Sequence, residues 1–406
     1  LKKVKKYLVL PVVLVLSISF SLEASAYKFN DDNNRFFKCS TCETAYPSYS
    51  WGDNMGGSSV IKSAWQSAVS DWKNKQSKVE FVYSSSSDSK LHSYHSADKT
   101  LYGEMQWTSD LLKFVTKFNG YINNNANNIT TTNVARSTAN HELAHAMGLD
   151  HVSGTSVMNS NRDRATIYLP QTDDVNGINA RYPVFKNNVL DELILNKESD
   201  FNINNIFVSS DILTFNSLEQ MANNADVIVM GHFNNSKGTI NMLRDPNNPK
   251  EESTLGYQKG LIYDFEIDEI ISGNVSETII DIGLRSDSEY LFTDKEGNEK
   301  RISIDNPLFK SPNTSASYIL FLSKDTDLDM YFTPFEPFKL IVDSQNKVNV
   351  ETNLNEFQSS IEKSYEFEDT KEIVNVTSEA NYNWIDNISG TDLSDVKNII
   401  KGQRMK

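Results

Sequence analysis

Eleven residues constrain this chain more than any other stretch: His141-Glu142-Leu143-Ala144-His145-Ala146-Met147-Gly148-Leu149-Asp150-His151. On a helix of about 3.6 residues per turn, His141 and His145 lie one above the other on a single face. Two imidazoles at that spacing can grip one metal ion, and Glu142 sits beside the first of them. Gly148 can take positive φ without steric cost, so the helix can stop there. Three residues later the turned chain can bring His151 back toward the same ion. Three neutral imidazoles with an open fourth position suit a catalytic zinc ion, whereas a structural zinc is closed by four protein ligands. The chain has six histidines, and half of them fall in this one stretch, which argues against an incidental surface pair.

A methionine follows seven residues after His151, as Met158 in Thr155-Ser156-Val157-Met158-Asn159. The elongated His-Glu stretch followed by such a Met-turn resembles the metzincin metallopeptidases. The short step from His151 to Met158 resembles the matrixin branch most. The resemblance covers about residues 47–183, roughly a third of the chain. It implies an α+β fold: a metzincin-like catalytic domain, built of a twisted sheet, an active-site helix and a C-terminal helix. It further implies one catalytic zinc ion on His141, His145 and His151, Glu142 as general base and then acid, and Met158 as an apolar floor, with Gly148 turning the chain. Tyr102-Gly103-Glu104-Met105-Gln106 would be the sheet's edge strand above the cleft, free to pair with an extended peptide. Two departures stand out. The proline that often follows the Met-turn is absent, and no glycine-rich calcium loop is recognisable, which leaves calcium dependence open.

Residues 1–26 read as a secretory signal peptide. Lys2, Lys3, Lys5 and Lys6 form a basic start, Leu8 to Phe20 an apolar core, and Ala24-Ser25-Ala26 a small-residue cleavage pattern. The apolar run is too short for a good membrane span. Leu1 is consistent with a non-standard bacterial start codon read literally. A secreted, extracellular bacterial protein without stable membrane insertion is expected. Removing residues 1–26, with four Lys and one Glu, takes the formal charge from −15 to −18. So acidic a chain is not drawn to nucleic acid or anionic lipid by its overall field, while cations or a basic substrate remain compatible with it.

A short N-terminal segment, 27–46, carries the only cysteines, Cys39 and Cys42. In an oxidising exterior they can form a disulfide or persist as a free pair. A third reading is latency, one thiolate occupying the open zinc position. Ser58 to Lys73 has apolar residues at helical spacing, including Ile61, Trp65, Ala68 and Trp72, and reads as a core helix. Val79 to Tyr83, Leu101 to Trp107 and Phe114 to Ile122 read as strands. His92, Tyr94, His95 and Asp98 do not assemble a second zinc set and read as loop residues. Thr130-Thr131-Thr132 can cap the helix carrying His141, and Thr172, ahead of Asp173 and Asp174, can cap a closing helix.

Beyond residue 184 the sequence suggests a β-rich accessory domain, 184–364, followed by a polar stretch and an amphipathic helix, 365–406. Ser217-Leu218-Glu219-Gln220 is a capping box for a short helix. Asp226–Phe233, Leu261–Ile271, Thr278–Leu284, Tyr318–Leu322 and Lys339–Val342 read as strands. Asp325-Thr326-Asp327-Leu328-Asp329 lacks the glycine and distal Glu of a calcium loop and reads as an acidic turn. No chemistry is legible in this half. The most concrete functional expectation is a monomeric zinc endopeptidase acting on protein or peptide. Two others stand beside it: a zinc-binding adhesin without turnover, and a zinc hydrolase of non-peptide or cell-wall amides.

Overall fold

The computed structural model describes residues 27–29, 36–37, 44–52, 54–55, 58–110, 114–182, 202–254, 256–294, 296–354, 361–378, 382 and 384–404. The stretch 1–26, Cys39 and Cys42 lie outside them, so the signal-peptide, disulfide and latency readings do too. The described chain is α+β and dominated by strands, with five helices.

The first half builds a sheet over two packed helices. Its elements are β1 (Ser48–Trp51), α1 (Ser59–Lys75), β2 (Lys90–Ser96), β3 (Leu101–Ser109), β4 (Phe114–Asn123), α2 (Thr132–Ala146) and α3 (Thr172–Arg181). β1 and β4 each pair in parallel with β2, and β3 runs antiparallel to β4. The apolar stripe of α1 buries Ile61, Trp65, Ala68 and Trp72, as its spacing predicts. Leu143, Ala144 and Met147 bring α2 into the same core with Met105, Phe118 and Ile122. Both tryptophans find acceptors for their indole N–H, Trp65 on the His92 carbonyl and Trp72 on the Asn140 carbonyl, each at 3.1 Å.

The second half adds β5 (Asn202–Ile212), α4 (Leu218–Asn224), β6 (Val227–Asn241), β7 (Tyr257–Ser272), β8 (Ile279–Thr293), β9 (Ser317–Asp325), β10 (Lys339–Val342), β11 (Ile361–Phe367), β12 (Glu372–Ser378) and α5 (Leu393–Arg404). β6 to β10 belong to a second sheet, where β6 pairs with both β7 and β9. α4 and α5 cover one face of it through Leu218, Met221, Val396 and Ile400. β5, β11 and β12 join the first sheet instead, so that sheet draws strands from both sides of residue 184.

Four expectations need correction. Tyr102 to Gln106 is not a free edge, because β5 lies antiparallel along β3 over eight register pairs, from Leu101↔Ile212 to Ser109↔Asn205. His92, Tyr94 and His95 stand on strand β2 rather than in a loop; their alternation is masked in sequence by polar residues on both faces. The stretch after 365 carries β12, whose Val374 and Val376 are buried and alternate with half-buried Ile373, Asn375 and Thr377. Finally, α3 begins at Thr172 itself and is capped one residue earlier, since the Asp174 carboxylate accepts the Gln171 N–H at 2.7 Å.

Candidate metal centre

Local chemistry places each imidazole. Thr131 caps α2 by accepting the Val134 N–H at 3.3 Å, and the helix carries His141 and His145 one turn apart. Gly148, at φ 96°, ends the helix in a conformation that L side chains avoid. Leu149–Asp150 then pairs with Lys28–Phe29, and His151 follows at the site. The Met-turn closes beneath this return. Val152 N–H donates to the Met158 carbonyl at 3.1 Å, and Met158 is buried in the core. Asp174 of α3 holds the turn, accepting from the Ser156 hydroxyl and, at 3.1 Å, from the Val157 N–H.

The structure brings His141, His145 and His151 together. Their Nε2 atoms converge, His141 to His145 at 3.0 Å and His141 to His151 at 3.2 Å. In two of the rings the opposite nitrogen shows why Nε2 presents a lone pair. The Val157 carbonyl lies 2.7 Å from His141 Nδ1 and the Leu149 carbonyl 2.8 Å from His145 Nδ1. A carbonyl only accepts, so each Nδ1 carries the proton and each Nε2 presents its lone pair. Burial pushes all three imidazoles down, His145 to about 4, and holds them neutral. Neutral donors converging at ~3 Å fit the nitrogen spacing of a tetrahedral zinc with bonds of about 2.0–2.1 Å. The donor set therefore fits zinc.

Glu142 lies fully buried beside this trio, and neither carboxylate oxygen has a hydrogen-bond partner among the described residues. Burial, followed by the charge of Asp211, pushes its pKa well above the usual carboxylate range. β3 comes close enough that a Cβ on Gly103 would stand 2.5 Å from Glu142 Oε1.

Three residues that sequence reasoning missed come from beyond residue 200. Ser209 of β5 places its hydroxyl 3.1 Å from His145 Nε2. Asp211 of β5 sits 3.9 Å from His141 Nε2 and shares a cluster with His141 and Glu142 that could hold a metal. The Tyr382 ring lies 5.5 Å from that of His151, centroid to centroid. Asp211 is fully buried, which raises a carboxyl pKa, yet Arg162 and Arg164 outweigh burial and hold it well below the usual range. Arg162 reaches it at 2.8 Å and Arg164 at 2.6 Å. A signal for Asp211 existed in the sequence: a lone acid inside the apolar run Ile206-Phe207-Val208-Ser209-Ser210-Asp211-Ile212-Leu213. Among the described residues, the other His, Cys and acidic side chains form no metal-holding group apart from these.

No protein-family model matches the chain, and no curated protein matches it. Among solved structures it is similar to High choriolytic enzyme 1, a hatching enzyme zinc-protease from the medaka Oryzias latipes, at 13% identity and a TM-score of 0.27. The match covers 38% of this chain and 98% of that one. A likeness so weak decides nothing about the chain; the geometry of the imidazoles has to carry the case. No helix among the described residues is long and apolar enough to cross a membrane.

Proposed function

We propose that the chain is a secreted zinc endopeptidase of metzincin type, with the matrixin-like step to Met158. The observation that supports this reading is the convergence of the His145 and His151 Nε2 atoms on that of His141, at 3.0 and 3.2 Å, beside a buried carboxylate with no hydrogen-bond partner. Zinc bound there supplies an acidic water and polarises a scissile carbonyl. Glu142 takes the proton of the attacking water on a carboxylate oxygen and passes it to the leaving amine. Its raised proton affinity suits that exchange better than an ordinary carboxylate would. The carbonyls of Val157 and Leu149 orient the rings through Nδ1, the arrangement that keeps metal-bound histidines in place. Gly103 leaves Glu142 room to move its proton. Residues 1–26 supply the export signal, and the substrate is an extended protein segment.

The test is casein cleavage and metal content, measured on the same preparations. Glu142→Ala should keep one zinc per chain and lose cleavage by about 100-fold or more. His145→Ala should lose both. Equal and measurable cleavage by Glu142→Ala and the parent would contradict the mechanism. The burial of all three imidazoles, with Ser209 against His145 and Asp211 near His141, favours a second reading, a zinc-binding module without turnover. Chelator-sensitive cleavage would exclude it.

A further inference from the structure

We propose that β5, Asn202–Ile212, is a resident inhibitor that fills the peptide groove of this centre and is anchored there by Asp211. The proposal rests on the endopeptidase reading. β3 borders the metal centre, and β5 occupies its free side in antiparallel register, as an added peptide strand would. Residues opposite one another in a ladder share a face. Gly103, Met105 and Trp107 of β3 face α2, so their partners Asp211, Ser209 and Phe207 do too. Phe207 stacks on Trp107 with ring centroids 5.7 Å apart. Ser209 and Asp211 then meet His145 and His141. What the imidazoles meet is thus a hydroxyl and a carboxylate, neither of which a peptidase can cleave.

The anchor is built from the catalytic half. Arg162 donates from Nε to the Ser137 hydroxyl at 2.8 Å and from a terminal nitrogen to the Asn159 carbonyl at 3.1 Å. Arg164 donates to the Ser160 carbonyl at 3.2 Å, and its guanidinium lies 4.0 Å from the Tyr102 ring. Both side chains are therefore positioned without β5 and present a preformed socket for one carboxylate. Buried charges persist only when paired, and Asp211 completes this set. Removing one member of such a set is strongly destabilising to the arrangement that contains it, here the closed one.

The test uses the full zinc-loaded chain and two variants. Asp211→Asn keeps the side chain's size; Val208→Pro removes a backbone N–H from a strand paired on both sides. Two rates are read: zinc transfer to a colorimetric chelator and cleavage of casein. Closure by β5 predicts zinc transfer at least tenfold faster in each variant than in the parent, with cleavage rising in parallel. Adding a peptide with the sequence of Asn202–Ile212 should slow both rates in Val208→Pro, which general loosening of the fold would not allow. Equal transfer rates in all three chains, or no effect of the peptide, would overturn the proposal. Faster transfer that the peptide slows, with no cleavage at all, would support closure by β5 and sink the endopeptidase reading instead.

Discussion

Two carboxylates near the same three imidazoles meet opposite fates, and their neighbours explain why. Glu142 is buried without a hydrogen-bond partner, which raises its proton affinity; Asp211 is equally buried but lies between two guanidinium groups, which lower its own. Gly103 matters because it is where β3 nearly touches the first of these. Gly103→Ala should keep zinc but lower casein cleavage tenfold or more, since the new methyl would displace Glu142 Oε1; undiminished cleavage would show that the carboxylate tolerates the shift. A third buried acid, Asp71 of α1, pairs with Arg136 at 2.7 Å and accepts from Asn140 at 2.9 Å. Asp71→Ala should cost about 1–3 kcal/mol in denaturant unfolding, because Arg136 and Asn140 of α2 lose their partner. At this scale the sequence was readable wherever function imposes local spacing. His141 and His145 lie one helical turn apart with Glu142 beside the first, and His151 follows the stop at Gly148, so these positions are legible from local spacing. Arg162, Arg164 and Asp211 could not be joined, because Arg164 and Asp211 are 47 positions apart and only folding brings them together.

Elements were legible when one periodicity dominated. The stripe of α1, the cap at Thr131 and the helix stop at Gly148 follow from local rules, and the structure has each of them. Gly148→Ala should be destabilising by about 1–2 kcal/mol, from the left-handed backbone alone, and should weaken zinc binding by misplacing His151. Isothermal titration of the metal-free chain with zinc would check this, and unchanged affinity would show that His151 returns by another path. Polar residues on both faces of β2 hide its alternation in the sequence, and β3 is opaque for a different reason. Its edge looked free because a pairing partner a hundred residues away leaves no trace in the strand's own sequence. Sheet partnership is a tertiary property, and the identity of β5 as that partner decides whether the groove is open.

At the scale of the whole molecule, the two halves are bound by more than one ladder. Asp98 pairs with Arg285 at 2.9 Å, and the Ser96 hydroxyl donates to Gln258 at 2.6 Å. Glu336 bonds through its backbone to Leu213 and Phe215, just beyond β5. Burial, opposed by Lys339, pushes the Glu336 carboxyl from 4.5 to about 8. An acid whose pKa is raised by folding favours the folded state at low pH, and that advantage fades as pH rises from about 4.5 through about 8. Glu336→Gln should therefore melt higher relative to the parent at pH 9 than at pH 5, by the equivalent of about 1 kcal/mol or more. A pH-independent difference would mean that Glu336 is ionised in the fold. The account as a whole rests on one zinc ion held by three imidazoles. X-ray absorption at the zinc edge of the full chain addresses that directly. One zinc per chain, with three imidazole nitrogens at ~2.0–2.1 Å and oxygen completing the shell, is the predicted result. A sulfur ligand at ~2.3 Å would place Cys39 or Cys42 on the metal in place of oxygen, and a chain that takes up no zinc would contradict the account at its centre.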